Sequence, residues 1–349
     1  MRIRGLCDIL SAKWRRWPEW PGPAVLFTAR PSRYTARMRD STDMVHLGRD
    51  GWLFLTGGTN RVRQQYRASL PVAWRLWRWR RLIEARTAKA AALGVRAFHV
   101  VVPEKLSIYD DRLDGLELDP ALSPARRLGT RLARSPAARA WIDLVGPLRA
   151  ARDAEPPLYL RTDTHWSQEG CRFAYGEIMR ALGALPPADL ASRPFHDHDG
   201  VRDLGAKLDP PWRETMRVYE VQRDAVRVYA NPLVLGHEAR GTAADLHVGA
   251  HVVFRNESPA ADPRTLMLFG DSCSHFHPIF LTGLLAESFR ELHFVWSASL
   301  DWAYIERVRP HLLLVEVAER FLARVPADLF DVEAEDARRL PVRDDAAGI

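Results

Sequence analysis

Two short stretches of this chain hold the residue types from which an acyl-transfer site is built. In Gly270-Asp271-Ser272, a serine follows the apolar run Leu266-Met267-Leu268-Phe269 across a single glycine and an aspartate. Glycine permits a tight turn, and a hydroxyl just past a strand end stands at the carboxyl edge of a sheet, where open α/β folds place their ligands. Backbone N–H groups beyond the serine are then candidates to stabilise a developing oxyanion. Alone, a Gly-Asp-Ser tripeptide is more often an ordinary turn or helix cap.

The second stretch is Asp163-Thr164-His165-Trp166. In an extended segment, residues two apart project to one side, so Asp163 and His165 can face a common partner. The carboxylate would hold the imidazole tautomer, leaving the other ring nitrogen to accept the Ser272 proton. A lone Asp-x-His reads as loop polarity. Both stretches in one chain point instead to nucleophilic catalysis through an acyl-serine.

Other residues compete for these roles. His275 and His277 follow the serine and are alternative bases, while Gly270, Asp271 and Cys273 are oxyanion or substrate candidates. Cys273 reads as a small buried neighbour of the nucleophile. His196, Asp197, His198 and Asp199 form a compact polar cluster without zinc-site spacing, so neither a metal nor another cofactor is expected. Trp74, Trp77 and Trp79 interleave with Arg75, Arg78, Arg80 and Arg81. That pattern suits a nucleic-acid or membrane-surface helix, or an acidic polysaccharide, but the spacing of Trp74 and Trp77 favours aromatics turned inward onto a sheet.

The elements that must position these residues alternate between helix and strand. A helix is predicted over 72–93, ended by Gly94, and the near-continuous β-formers of 96–102 follow as a strand covered on both faces. Ser167 is placed to cap a helix running to Leu182, with Gly183 beyond it. Strands over 266–269, 292–296 and 311–317 surround a helix over 278–290. The expectation is an α/β sandwich with a parallel central sheet. Residues 200–256 alternate polar and apolar and read as a small antiparallel β-rich insertion. Residues 1–44, rich in Arg, Trp and Pro, read as an irregular leader, 45–326 as the folded body, and 327–349 as an irregular tail of mixed charge.

Composition bounds rather than identifies. The 349 residues, 47% hydrophobic and 27% charged, suffice for a sizeable core. Fifty basic side chains against 44 acidic give a formal charge of +6, a weak argument for a polyanion, and no nucleic-acid partner is expected. Cys7, Cys171 and Cys273 form neither a disulfide framework nor a C-x-x-C pair. No apolar run approaches the roughly 18–20 residues of a membrane span, and residues 1–23 lack a cleavable signal pattern. Taken alone, the chain reads as soluble and cytoplasmic.

Four segments together carry a resemblance: Gly270-Asp271-Ser272, Arg161-Thr162-Asp163-Thr164-His165-Trp166, Gly48-Arg49-Asp50-Gly51-Trp52-Leu53-Phe54 and Val101-Val102-Pro103-Glu104-Lys105. Over roughly Val45 to Pro326 the chain resembles the AlgX/AlgJ group of alginate O-acetyltransferases within the SGNH-hydrolase superfamily. The resemblance implies a flavodoxin-like sheet, a periplasmic setting, an acetyl donor that is either protein-bound or a small molecule, and a glycan acceptor. Ser272, His165 and Asp163 match the positions of the catalytic triad. The Asp-x-His block precedes the serine block here, which resembles the circularly permuted order of that group. Where the wider superfamily ends a strand in Gly-x-Asn, an oxyanion donor, this chain has Ala318-Glu319-Arg320. Arg320 is therefore a substitute donor candidate, with a Glu319–Arg320 ion pair the favoured alternative. An acetylesterase using the same three residues and a non-catalytic carbohydrate-binding protein are the rival functions.

Overall fold

The computed structural model describes residues 44 to 339. The leader expected over 1–44 and Cys7 therefore fall almost wholly outside the described residues. A hairpin opens the body, with β1 (Val45–Leu47) antiparallel to β2 (Leu53–Leu55). Its turn is the Gly48–Gly51 segment, in which Asp50 sits at φ 54° and Gly51 at φ 78°. Gly48 is required by close approach, since a Cβ there would lie 2.3 Å from the Arg112 carbonyl oxygen.

The central sheet has seven strands in the order β4-β3-β11-β9-β10-β8-β7. Five are parallel: β4 (Trp141–Ile142), β3 (Arg96–Val102), β11 (Leu312–Ala318), β9 (Asp262–Gly270) and β10 (Phe289–Trp296). Two more, β8 (His251–Asn256) and β7 (Ala225–Ala230), extend one edge antiparallel. The sheet is thus mostly parallel. Strands β7 and β8 lie in the stretch predicted as a separate insertion, yet they complete the main sheet, because alternation specifies strand but not partner. A detached hairpin does form just before them, from β5 (Phe195–Val201) and β6 (Arg213–Tyr219).

Both faces of the sheet are covered, which is why its strands are apolar at successive positions. Leu266 and Leu268 of β9 join the core on one face, and Met267 and Phe269 the core on the other. The covering helices are α1 (Leu70–Ala92), α2 (Pro124–Leu132), α3 (Gln168–Leu182), α4 (Pro232–Ala239), α5 (Leu281–Ser288), α6 (Trp302–Val308) and α7 (Val332–Arg339). Helices α1 and α2 share a core with Val101 and Val317, while α3 and α5 pack on the opposite face. The layers make a three-layer α/β sandwich. Each fully buried Leu or Phe in it contributes roughly 1.5–3 kcal/mol.

Several local expectations meet different outcomes. The Ser167 hydroxyl accepts from the Gly170 N–H and Gly183 ends α3 in the left-handed region, as the capping residues require. Helix α5 is shorter than the predicted 278–290. It starts at Leu281, because Gly283 packs against the Pro278 carbonyl, and Phe289–Arg290 are drawn into β10. The tail is not irregular throughout: α7 docks through Asp336, which accepts from the Leu233 N–H at 2.9 Å. On α1, Trp79 is buried whereas Trp74 and Trp77 face outward. Val72, Leu76, Trp79 and Ile83 supply a better-spaced inward stripe, and that stripe reverses the predicted orientation of the tryptophans.

Candidate active site

Parallel strands bring their carboxyl ends to one edge. There β9 delivers Ser272, β11 delivers Glu319 and Arg320, and β3 delivers Glu104 and Lys105. Gly270 is needed at the turn, since a Cβ would meet the Ser274 Oγ at 2.7 Å and the Glu316 Oε2 at 3.0 Å. Asp271 is committed to structure. Its carboxylate accepts from the Cys273 N–H at 2.9 Å and from the Ala318 N–H at 2.7 Å, locking the serine turn to the end of β11. Beneath it Glu316 accepts from the Asp271 N–H and the Ser274 hydroxyl. Burial, together with the Asp271 charge, pushes the Glu316 carboxyl well up.

The other half of the site lies on the loop between Leu158 and Ser167. Lys105, buried, donates to the carbonyls of Leu160 and Arg161 at 2.9 and 2.8 Å. Glu214 of β6 accepts from the N–H groups of Arg161 and Thr162, each at 2.8 Å. The N–H groups of Leu204 and Gly205 both reach the Thr162 carbonyl at 3.0 Å, and the Leu53 N–H of β2 reaches that of Arg161 at 2.9 Å. Helix α3 presses on the loop at Gly170, where a Cβ would lie 1.9 Å from the Leu158 oxygen. Every backbone polar group fixed in this way removes a freedom the loop would otherwise have to lose on binding.

On that fixed loop, Asp163 Oδ1 accepts from the His165 backbone N–H at 3.0 Å and lies 2.7 Å from His165 Nδ1. The pair converges through an Asx turn, in which the carboxylate folds over backbone two residues on, rather than through the extended projection predicted. His165 Nε2 lies 2.8 Å from Ser272 Oγ, 107 residues away in sequence. Burial would raise Asp163, but the His165 charge and hydrogen bonds hold it down to about 2. For His165, burial pulls downward and the Asp163 carboxylate outweighs it, lifting the ring above its ordinary value.

Asp203 was not singled out in the sequence. It accepts from the Thr164 N–H at 2.7 Å and from the Thr164 hydroxyl, and it is pushed up to about 6 by burial and by Asp163. Its negative form favours protonated His165. Asp203→Asn is therefore expected to let the imidazole lose its proton at lower pH. As only the neutral ring can act as base, the acid limb of the pH–rate profile moves to lower pH, measurable by titrating turnover of an acetyl ester.

The remaining candidates separate clearly. Arg320 Nη1 pairs with Glu104 Oε1 at 2.8 Å, and Nη2 lies 3.5 Å from Ser272 Oγ. The predicted Glu319–Arg320 pair does not form. Glu319 instead accepts from the hydroxyls of Tyr66, Ser107 and Ser123 and from the N–H groups of Glu104 and Ala125, which exhausts its lone pairs. The N–H groups beyond the serine are not open either: Cys273 donates to the Asp271 carboxylate, and Ser274 and His275 donate to the Asp271 carbonyl. Among the described residues the Ser272 N–H has no protein acceptor, and Arg320 brings a donor to 3.5 Å from the hydroxyl.

His275 adopts φ 64° and its Nδ1 accepts from the His277 N–H at 3.0 Å. Burial pushes His275 well down and His277 to about 4, so both rings are neutral, and neither is the imidazole bonded to Ser272. Cys273 is buried and its thiol is pushed up, first by burial and then by Asp271. Ligand atoms of Asp163, His165 and Asp203 lie within 4.8 Å of one another, as do those of Asp271, Cys273 and Glu316. Hydrogen bonding accounts for the first group, and a protonated thiol is a poor metal ligand in the second. His196–Asp199 lie along β5, with Asp199 paired to Arg213.

A hydroxyl, an imidazole and a carboxylate joined in series at the carboxyl edge of a three-layer α/β sandwich define the structural class. Within it, the chain belongs to the family described as the SGNH hydrolase-like domain of acetyltransferase AlgX, whose model matches residues 45–231. That match includes Asp163 and His165 and ends before Ser272, which geometry then joins to them. The chain is 27% identical over 180 residues to a probable alginate O-acetylase AlgJ of Pseudomonas fluorescens, covering 49% of this chain and 43% of that protein. A probable alginate O-acetylase AlgJ of Pseudomonas aeruginosa is 28% identical over 215 residues, covering 58% and 51%. The chain thus spans about half the length of these curated relatives. Among solved structures, the O-acetyltransferase domain of Pseudomonas putida AlgJ aligns with a TM-score of 0.53 at 17% identity, over 84% of this chain and 98% of that one. Bacillus cereus PatB1 aligns at 0.52 and 15% identity, over 81% and 98%. Both share the fold.

Proposed function

We propose that this chain is an O-acetyltransferase that moves an acetyl group through an acyl-serine to hydroxyls of a polysaccharide, with alginate, named for its relatives, the first acceptor to test. The observation that carries the reading is the hydrogen-bonded series from Ser272 through His165 to Asp163, at 2.8 and 2.7 Å. Ser272 Oγ attacks the acetyl carbonyl as His165 Nε2 takes its proton. The ring then returns that proton to the departing donor group. In the second half, Nε2 takes the proton of a sugar hydroxyl, whose oxygen attacks the acetyl-serine, and the proton returns to Ser272 Oγ. The Ser272 N–H and Arg320 stabilise the charge on the carbonyl oxygen in both halves. The order of the two sequence blocks, Asp-x-His first, supports reading the sheet as a circular permutation of the SGNH arrangement.

The test incubates the enzyme with an activated acetyl ester and mannuronate oligomers and weighs the products. Oligomers gaining one acetyl mass support transfer. Release of acetate alone would make the chain an esterase, and no acetylation of either Ser272 or oligomer would overturn the reading.

Arg320 offers a sharper check on mechanism. Arg320→Ala is expected to lower turnover about 10²- to 10³-fold. It also leaves the Glu104 carboxylate buried without its partner, which costs about 3–5 kcal/mol of stability. Arg320→Lys keeps a cation against Glu104 but loses the second arm of the fork. Thermal melts should separate the two variants, while both lose turnover.

A further inference from the structure

Helix α1 meets the protein with one stripe and solvent with a very different one. Leu70, Trp74 and Trp77 are 86%, 59% and 52% exposed, and they share their face with Arg78 and with Arg81, the latter paired with Glu84 at 3.1 Å. Arg127 and Arg131 of α2, which packs beside α1, add further cations. Among the described residues no carboxylate lies within ion-pair distance of Arg75, Arg78, Arg127 or Arg131, and the buried Arg75 Nε lacks an acceptor. Burial lowers Arg127, and the neighbouring charges of Arg131 and Arg75 lower it further. Cations gathered this closely without neutralisation repel one another, and an arriving anion relieves that repulsion.

We propose that this face of α1 and α2 docks on an anionic lipid bilayer, with Leu70, Trp74 and Trp77 in the interfacial layer and the arginines against the headgroup phosphates. Indole rings partition to the boundary between headgroups and chains, and arginines bury their stems while keeping their charge at the phosphates. Exposed Leu and Trp beside basic residues are the composition of a helix that lies on a membrane. An acidic glycan would need open aromatic faces on which to stack. Here the Arg78 guanidinium sits over one face of the Trp74 ring, 4.9 Å from its centre, and Leu70 offers a sugar no hydrogen bond.

The position of this face ties it to the reaction edge. Just before α1, Gln65 donates to the Arg320 carbonyl at 2.8 Å, and Tyr66 donates to Glu319 at 3.1 Å. A bilayer under the start of α1 would therefore hold the Ser272 edge close to its surface.

Flotation of the full chain with vesicles tests this. Wild type is expected to float with vesicles of phosphatidylcholine and phosphatidylglycerol in equal parts, to remain behind with phosphatidylcholine alone, and to be released by high salt. The variant Leu70→Ser/Trp74→Ser/Trp77→Ser is expected to bind at least about tenfold more weakly. Its melting temperature and its turnover of a soluble acetyl ester should stay at wild-type levels, since none of the three side chains touches the site. Equal flotation of wild type and variant overturns the proposal, as does no flotation of wild type. So does selective retardation by polymannuronate that the variant abolishes while vesicle binding persists.

Discussion

Ser272→Ala is expected to lower acetyl transfer by about 10⁴- to 10⁶-fold, with His165→Ala close behind, while both variants remain folded. The size follows from position. Ser272 Oγ is the atom on which the His165 Nε2 bond converges, at 2.8 Å, and no other nucleophile can replace it. Cys273, one residue on, is buried with its thiol raised, so it supplies no thiolate. Neither substitution removes a group on which the loop depends: that loop is held by Lys105, Glu214 and the backbone of 204–205, none of which bonds the two side chains. The double variant should fall no further than either single one, because the hydroxyl and the imidazole act as a unit. Stopped-time mass spectrometry of the acetylated enzyme, run beside a melt, measures both halves of the expectation.

Asp163→Asn should cost turnover about 10⁴-fold through a different cause. Wild-type Asp163 accepts from both the backbone N–H and the ring Nδ1 of His165, which places the ring hydrogen on Nδ1 and the lone pair on Nε2 toward Ser272. Both bonds end on the same oxygen, Oδ1, so an amide oxygen there can keep them, and what the variant removes is the negative charge that stabilises the imidazolium formed when Ser272 gives up its proton. Asp163 is ionised across the working range, being held down to about 2, so loss of activity in acid reflects His165 and not this carboxylate. The variant should lose rate even at its optimum pH while its acid limb also moves to lower pH, because the charge that lifts His165 is gone, whereas Asp203→Asn moves the limb without that loss of maximal rate.

What the sequence disclosed and what it hid divide along a physical line. The caps of α3 were legible because Ser167 and Gly183 act on backbone within one turn of themselves. The strand at 96–102 was legible because seven residues of β-formers carry their own signal. The hydrogen-bonded series of Ser272, His165 and Asp163 was assembled by joining two motifs, although the local geometry of Asp163 and His165 is a turn and not an extended run. Asp203 gave no signal, since a single aspartate in a polar segment is ordinary and its meaning comes from Thr164 lying beside it in space. Glu104 and Lys105 did leave a trace. Two charges directly after an apolar strand and a proline sit at the active edge, but their partners, Arg320 and the Leu160–Arg161 carbonyls, are set only by the packed sheet. The tryptophans of α1 misled because three of them compete for one inward stripe, and only the neighbouring Val72, Leu76 and Ile83 decide which turns in.

Glu319 accepts donors contributed by Tyr66, Glu104, Ser107, Ser123 and Ala125, which belong to separate stretches of chain. Withdrawing any one stretch would strand part of a charge in a dry interior, an outcome far less favourable than losing a neutral bond. The start of α1, the end of β3 and the start of α2 are thereby bound to a common fate. Fraying that began in one would have to take the others with it, so the rim around Ser272 opens as a cooperative block or stays shut.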